Sequence, residues 1–255
     1  MKKNIFYLLA HQDDEFGIFI KLEEDIKNNN TFIFYLTSGE GNKIKSITNS
    51  KRDNESLKVL QKLGVKKKNI FFIGSKYGIE HNKLYLNINY IYKKILAITH
   101  SVGSPNSIVT HSWEGGHEDH DASNLIGRKI AKRFKITKKS YQFSLYNGYN
   151  TSILYFKVFN PIVKYGAKKF FINFKKRIFY IKLLFIYKSQ FKTWIGLYPF
   201  IIFHYLFKGY NFIEKLNCDN LIKKPHSNKL LYERRKFCTF EKFKSKTKFF
   251  LNDIK

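Results

Sequence analysis

The feature that most constrains the fold is an alternation of short apolar runs with amphipathic segments. The apolar runs have the length and composition of strands buried on both faces, and they occupy residues 5–9, 31–37, 69–73, 107–110 and 141–146. Between them, apolar side chains recur at helical spacing in residues 15–28, 51–63, 83–99 and 121–134. Strands that alternate with helices predict βαβ units and a mostly parallel sheet. The sequence therefore predicts an α/β fold, a Rossmann-like three-layer sandwich.

The pattern loosens near residue 150. Residues 151–255 are basic and rich in aromatic side chains, without clear strand alternation. Helical spacing predicts helices at residues 161–173, 176–188 and 198–208, and residues 230–234 read as a late strand. We therefore predict an α/β core in residues 1–150 and a largely helical C-terminal extension in residues 151–255 that packs on the same domain.

The charge of the chain favours anionic partners. Forty-seven Lys and Arg against 19 Asp and Glu give a net charge of +28. Such a field attracts phosphorylated or lipid-linked substrates, membrane surfaces or nucleic acid. Membrane contact ranks above nucleic acid, because nothing in the chain resembles a recognition helix or an RNA-binding signature. The alternative is that a nucleotide bias of the genome inflated lysine throughout, since the lysines are spread along the whole chain.

Cysteine usage and apolar runs indicate the compartment. Cys218 and Cys238 are the two cysteines, which argues for free thiols rather than a disulfide framework. The apolar run at the start ends in His-Gln-Asp-Asp, which is no signal-peptide cleavage site. The longest apolar stretch, residues 194–207, is too short to span a bilayer. We expect a cytoplasmic protein without signal peptide or transmembrane helix, with peripheral membrane association as an added possibility.

Two clusters of histidine and acidic side chains directly follow predicted strands. The first occupies residues 11–15 and the second residues 111–120. Because ligands gather beyond the carboxyl ends of parallel strands, both clusters are expected at one site. His11 and Asp14 are three residues apart, as are His117 and His120. Two imidazoles and one carboxylate leave coordination positions free, which is typical of a catalytic metal.

Zn²⁺ is the expected ion, and Fe²⁺, which binds similar donor sets, is the alternative. A carboxylate beside a ligand, but not itself ligating, is the natural general base, and Asp13 has that position. Either cluster alone has a simpler explanation. An Asp-Asp-Glu run complements a helix dipole, and a lone histidine is commonly structural. The conjunction of both clusters after strands favours the metal site.

The two clusters resemble the motifs of the PIG-L/LmbE-like zinc-dependent deacetylases, which include the N-acetylglucosaminyl deacetylases. The first family motif, Ala-His-Pro-Asp-Asp-Glu, is matched by residues 10–15 with Gln12 in place of proline, and His-x-Asp-His is matched by residues 117–120. Further matches cover much of the chain: residues 36–41, Arg52 with Glu55, residues 63–65, 187–190 and 231–234.

The resemblance implies that His11, Asp14 and His120 bind zinc. It implies that Asp13 is the general base, that His117 stabilises the oxyanion or protonates the leaving amine, and that Asp119 orients a histidine. Arg52 matches a family arginine near the sugar hydroxyls of the substrate, and its alternative reading is a charge on a helix surface.

The implied activity is hydrolysis of the N-acetyl amide of an amino sugar or glycoconjugate, free or linked to a lipid or nucleotide, with release of acetate. The alternative is an inactive family member that binds a membrane surface or an anionic ligand.

The sequence also departs from the family. Gly115 stands where some members have tyrosine, and residues 75–77 replace an acidic residue after the third strand. Both departures bear on the identity of the sugar more than on hydrolysis. His111 and Trp113 are read as pocket-lining or packing residues. His226 lies in a segment, residues 224–227, that resembles a family loop, and its alternative reading is a surface histidine. The remaining histidines are read as structural or exposed: His81, His100 and His204.

Overall fold

The central element of the fold is a seven-stranded, mostly parallel sheet. The structure is a computed structural model that describes residues 2–40, 51–152, 155–162, 166–218 and 223–252. Its strands are β1 (Asn4–Leu9), β2 (Asn30–Tyr35), β3 (Ile70–Phe72), β4 (Ser107–His111), β5 (Tyr141–Phe143), β8 (Lys168–Phe171) and β9 (Tyr210–Lys215). Their order in the sheet is β3-β2-β1-β4-β5-β9-β8. A separate small hairpin pairs β6 (Tyr146–Asn147) with β7 (Lys157–Val158).

The first five strands in spatial order are parallel, and their register aligns their carboxyl ends. Leu9 of β1 pairs with Tyr35 of β2, and Leu8 pairs with Thr110 of β4. β9 runs antiparallel to β5, and β8 antiparallel to β9. The residues that follow β1 and β4 therefore emerge at the same edge of the sheet.

Helices cover both faces of the sheet. They are α1 (Phe19–Asn28), α2 (Lys51–Lys62), α3 (Ile73–Tyr77), α4 (Ile88–Val102), α5 (Glu118–Arg133), α6 (Phe174–Leu184), α7 (Phe191–Gly196), α8 (Tyr198–Phe203), α9 (Leu231–Arg234) and α10 (Phe240–Asn252). Alternate residues of β1 point to opposite cores: Phe6 and Leu8 pack with residues of α4, α5 and α10, whereas Tyr7 and Leu9 pack with residues of α1, α2, α6 and α8. None of the described helices is long and apolar enough to cross a membrane.

The predicted α/β three-layer architecture is confirmed, with small changes at the ends of elements. The predicted helix at 15–28 begins as a 3₁₀ turn, Asp14–Gly17, before α1. The predicted strand at 141–146 divides into β5 and β6. The predicted helix at 198–208 is α8 continued by a π-helical turn, His204–Lys208.

Two predictions in the C-terminal part are wrong, and one strand was missed. Residues 168–171, predicted as helix, form β8 because they pair with β9, the strand that was not predicted. The two lysines of β8 lie on the edge of the sheet, where their charge opposes pairing with a further strand. Residues 163–165 of that predicted helix lie outside the described residues. Residues 230–234 are predicted as a strand, but residues 231–234 form α9. Glu233 accepts the N–H of Leu230 at 2.9 Å and that of Phe240 at 2.9 Å, so one carboxylate fixes the starts of α9 and α10.

The residues beyond 150 complete the sheet formed by the residues before it. β9 and β8 extend that sheet, while α6 and α8 cover one face and α10 covers the other. The division of the chain at residue 150 stays a prediction.

Candidate metal centre

The first motif forms a tight, strained turn directly after β1. The N–H of His11 donates to Oδ2 of Asp14 at 2.7 Å. Asp13 has a φ of 111°, which lies in the left-handed region of backbone conformation that residues other than glycine rarely adopt. Such a conformation costs about 1–3 kcal/mol and persists only where the surroundings hold it. Here the N–H of Asp13 donates to Glu15 at 3.1 Å, and Glu15 accepts the hydroxyl of Tyr187 at 2.7 Å.

The second motif sits at the start of α5, and two glycines let the chain reach it. Gly115 has a φ of +68°. A Cβ on Gly116 would lie 1.9 Å from the carbonyl oxygen of Tyr146, so only glycine fits there. Asp121 accepts the N–H groups of Glu114 and Gly115, each at 3.2 Å. The positive φ of Gly115, and the side chain of Leu230, which would lie 2.6 Å from a Cβ at this position, disfavour the tyrosine that some family members have there.

The three predicted metal ligands come together. Nδ1 of His11 lies 3.5 Å from Oδ2 of Asp14, and Nε2 of His120 lies 3.2 Å from Oδ1 of Asp14. Donors at about 2.0–2.1 Å from a tetrahedral zinc lie about 3.4 Å apart. All three side chains are buried, and Nε2 of His120 has no hydrogen-bond partner in the part of the chain described. The donor set therefore fits a divalent metal.

The three groups shift one another's pKa values. Burial opposes ionisation of Asp14, but His120, His111 and His11 outweigh it and hold the pKa of its carboxyl well below the usual range. Burial, with His111 second, lowers the pKa of His120 to about 3, so this imidazole is neutral, as a metal ligand must be. For His11, burial lowers the pKa, but the carboxylates of Asp14 and Asp119 dominate together and raise it to about 10.

Asp13 lies beside the donor set, next to Arg52. Burial raises the pKa of Asp13 to about 8, with Arg52 lowering it and Asp14 raising it. The guanidinium of Arg52 lies 3.7 Å from Oδ1 of Asp13 and donates to the carbonyls of Gly39, at 2.5 Å, and Gln12, at 2.9 Å. With its side chain 14% exposed, Arg52 is not a helix-surface charge; it lines the pocket.

His117 presents a fixed N–H toward the pocket. It is the N-cap residue of α5, and its Nδ1 accepts the backbone N–H of Asp119 at 3.1 Å. A neutral imidazole that accepts at Nδ1 carries its proton on Nε2. That nitrogen lies 3.4 Å from Nε2 of His81, to which it donates. Burial, followed by the nearby His11, lowers the pKa values of both His81 and His117, so both rings are neutral.

Asp119 contacts the imidazole of His11. Its Oδ2 lies 3.0 Å from Nε2 of His11, on the opposite side of the ring from Asp14. The same carboxylate accepts the N–H groups of Asn82 at 2.6 Å and Leu84 at 2.9 Å, which fix its position. A carboxylate held in this position behind an imidazole has the geometry that orients metal-binding histidines in other proteins.

Sequence reasoning missed two parts of the site. His81, read as structural or exposed, lies in the pocket with its ring centroid 4.5 Å from that of His11. Together with His11, His117 and Asp119 it makes a second group of possible metal donors, which shares His11 with the first. Gln12 donates to Asp53 at 2.6 Å and to Ser75 at 3.4 Å. Gln12, which stands where the family has proline, therefore contacts Ser75, which lies in the segment that lacks the family's acidic residue. Only this joint departure from the family pattern could have signalled the link.

The site opens into a pocket of 560 Å³. Its walls combine polar and apolar side chains: His11, Asp13, Asp14, Arg52, His81, His117, Phe16, Leu145, Tyr146, Arg235 and Phe237. His111, buried behind the pocket, stacks on His120 at 4.0 Å and lies 3.1 Å from Oδ2 of Asp14. Gly41, the last residue of the segment 36–41 that matches the family, lies outside the described residues.

Fold and site define an α/β protein with a histidine–carboxylate donor set at the carboxyl edge of a parallel sheet. Residues 6–131 match the sequence model of the PIG-L family, described as GlcNAc-PI de-N-acetylase, and this part of the chain belongs to that family. That span contains both motifs. No curated protein sequence matches the chain.

Several solved structures share the fold. The A40926 pseudoaglycone deacetylase Dbv21 is 16% identical with a TM-score of 0.57, and the match covers 83% of this chain and 95% of that one. The N,N'-diacetylchitobiose deacetylase of Pyrococcus horikoshii is 15% identical with a TM-score of 0.54, covering 82% of this chain and 83% of that one. The zinc-inhibited form of teicoplanin deacetylase Orf2 is 14% identical with a TM-score of 0.53, covering 82% and 96%.

Proposed function

We propose that this protein is a zinc-dependent deacetylase that hydrolyses the N-acetyl amide of an amino sugar or glycoconjugate. One observation carries the proposal: His11, Asp14 and His120 meet in a buried donor set, with Asp13 and the N–H of His117 facing the same pocket. The matching family is described by a de-N-acetylase activity, and structures with this fold include an N,N'-diacetylchitobiose deacetylase and an A40926 pseudoaglycone deacetylase.

His11, Asp14 and His120 would hold the metal. Bound there, a divalent ion supplies a Lewis acid that polarises an amide carbonyl and acidifies water. Zinc suits two imidazoles and one carboxylate, and iron(II) is the alternative ion for the same donors. Asp119 would keep His11 oriented through its 3.0 Å contact with Nε2.

Asp13 would act as the general base. Its carboxyl lies one residue from the ligand Asp14, inside the pocket, and its pKa of about 8 is close to the range in which a base is effective at neutral pH. Arg52, 3.7 Å away, favours the ionised carboxylate. The strained backbone at Asp13, supported by Glu15, aims the side chain.

His117 would stabilise the oxyanion. Its Nε2 carries the proton, so the ring can donate a hydrogen bond as negative charge develops on the carbonyl oxygen. His81 accepts that N–H at 3.4 Å, a long contact that a developing oxyanion would outcompete. When the amide bond breaks, the protonated Asp13 gives the leaving amine the proton that it took from water.

The walls of the pocket suit a sugar. Tyr146 and Phe16 contribute ring atoms to the pocket wall, which a pyranose ring would contact, while Arg52 lies where it can donate to hydroxyl groups. Arg235 adds a positive charge at the mouth, which favours a substrate with an anionic carrier such as a phosphate.

The proposal is tested by acetate release from a panel of N-acetylated sugars, free, nucleotide-linked and lipid-linked, with zinc supplied. We expect turnover by the native protein and loss of at least about a hundredfold in Asp13→Asn, the scale of general-base catalysis. Asp13→Asn should retain its metal. Metal-loaded native protein that releases no acetate from any member of the panel would contradict the proposal.

A further inference from the structure

The segment formed by α8 and the following π-helical turn is apolar on two opposite sides. Tyr198, Ile201 and Tyr205 are fully buried in the core. On the outer side, Phe200, Phe203 and Phe207 are 41%, 66% and 69% exposed, and the ring centroids of Phe203 and Phe207 lie 4.4 Å apart with the rings tilted by 38°. These three side chains are called the aromatic rim here. A surface helix ordinarily turns polar residues to water, so this exposed apolar side indicates an interaction surface.

The aromatic rim lies next to the mouth of the pocket. Phe200 packs on Phe156 at 4.9 Å, and Phe156 packs on Tyr146, a pocket wall, at 6.1 Å. Leu197, just before α8, also lines the pocket, and Ile195 of α7 is 67% exposed beside it. Whatever binds the rim therefore meets the entrance of the catalytic pocket.

The sequence around the rim has one sign of charge. Residues 151–213 contain eleven Lys and Arg and no Asp or Glu. Within them, residues 194–207 have no charged side chain other than a histidine. An apolar surface with exposed aromatic rings, set in a purely cationic segment, has the composition of elements that lie in the interface of an anionic bilayer.

We propose that the aromatic rim docks this protein on the surface of an anionic phospholipid membrane, with the pocket mouth at the bilayer. The rings of Phe203 and Phe207 would enter the acyl boundary while Lys208 and its basic neighbours contact the headgroups. A second copy of the chain is a poorer occupant, because pairing two such surfaces would bring like charges together. The described helices are too short to span the bilayer, so the contact is peripheral.

The test is co-sedimentation of the full chain with vesicles of phosphatidylcholine, with and without phosphatidylglycerol. We expect binding to the anionic vesicles that weakens with salt, and weaker binding to the neutral ones. The double variant Phe203→Ser/Phe207→Ser should bind about a hundredfold more weakly, since each ring contributes at least about tenfold when buried. The matched control is Phe249→Ser, a ring 77% exposed on α10 in the opposite helical layer, which should bind like the native chain.

Absence of binding to anionic vesicles at low salt would overturn the proposal, as would a double variant that binds like the native chain. A dimer in gel filtration that the double variant abolishes, without vesicle binding, would assign the rim to a second copy instead. Metal content and acetate release, measured on the same preparations, report the proposed catalytic function separately. Vesicle binding depends on neither, so the two proposals fail independently.

Discussion

Removing the hydroxyl of Tyr187 should destabilise the fold through the turn that carries the candidate base. In Tyr187→Phe, Oε1 of Glu15 loses the donor that lies 2.7 Å away, and both side chains are buried. A hydrogen bond to a charged group contributes about 1.5–3 kcal/mol, so we expect a loss of that size in the free energy of unfolding at alkaline pH. Since Glu15 also accepts the N–H of Asp13, activity should fall with it.

The pH dependence of this loss has a definite sign. Burial raises the pKa of Glu15 from its ordinary 4.5 to about 7, and the Tyr187 hydroxyl opposes that rise. The stability that this group contributes is present below pH 4.5 and is lost as the pH rises through about 7. Without the hydroxyl the pKa rises further, and each added unit costs about 1.4 kcal/mol above the folded-state pKa. The penalty of the variant should therefore be larger in alkali than in acid.

The assay is urea denaturation of both proteins with chelator present, at about pH 5 and about pH 8.5, so that Glu15 changes its charge between the two conditions. Tyr205→Phe is the matched control, because its buried hydroxyl donates at 2.5 Å to the neutral carbonyl of Phe16. We expect the control to lose about 1 kcal/mol at both pH values. A Tyr187→Phe penalty that is independent of pH, or that is larger in acid, would refute the reasoning.

Three further predictions follow from other contacts. Gln12→Leu should cost about 2–3 kcal/mol in urea denaturation, because its amide donates to a buried carboxylate at 2.6 Å; a cost near zero would contradict this. Gly116→Ala should strongly lower the free energy of unfolding, and with it the metal affinity, because the new Cβ would clash with the Tyr146 carbonyl. In the same urea denaturation, the control Gly196→Ala should be neutral or stabilising, because its Cβ has no atom within 4 Å. Binding of the metal at neutral pH should release about one proton, because the pKa of His11 is about 10 before it binds the metal. The proton is measured by titration calorimetry in buffers of different ionisation enthalpy, and a binding enthalpy that is the same in all of them would contradict this prediction.

The sequence predicted the elements of the core because each is encoded locally. The strand at 5–9 is an unbroken apolar run, and the helix containing His120 follows an acidic first turn. The meeting of His11, Asp14 and His120 was also predictable, since parallel strands place the residues after them at one edge of the sheet.

The parts that sequence reasoning missed depend on long-range contacts. β8 is a strand only because β9, about forty residues later, pairs with it. α9 is a helix because Glu233 satisfies N–H groups at the starts of two helices. His81 lies in the loop after α3, and nothing in the neighbouring sequence shows that it meets His117, 36 residues away.

The central claim is that His11, Asp14 and His120 together hold a catalytic metal. It is tested most directly by elemental analysis of the purified native protein beside His120→Ala and Asp13→Asn. We predict one divalent metal per native chain, its loss in His120→Ala, and full retention with loss of acetate release in Asp13→Asn. A native protein without metal, or a His120→Ala variant that keeps it, would contradict the account.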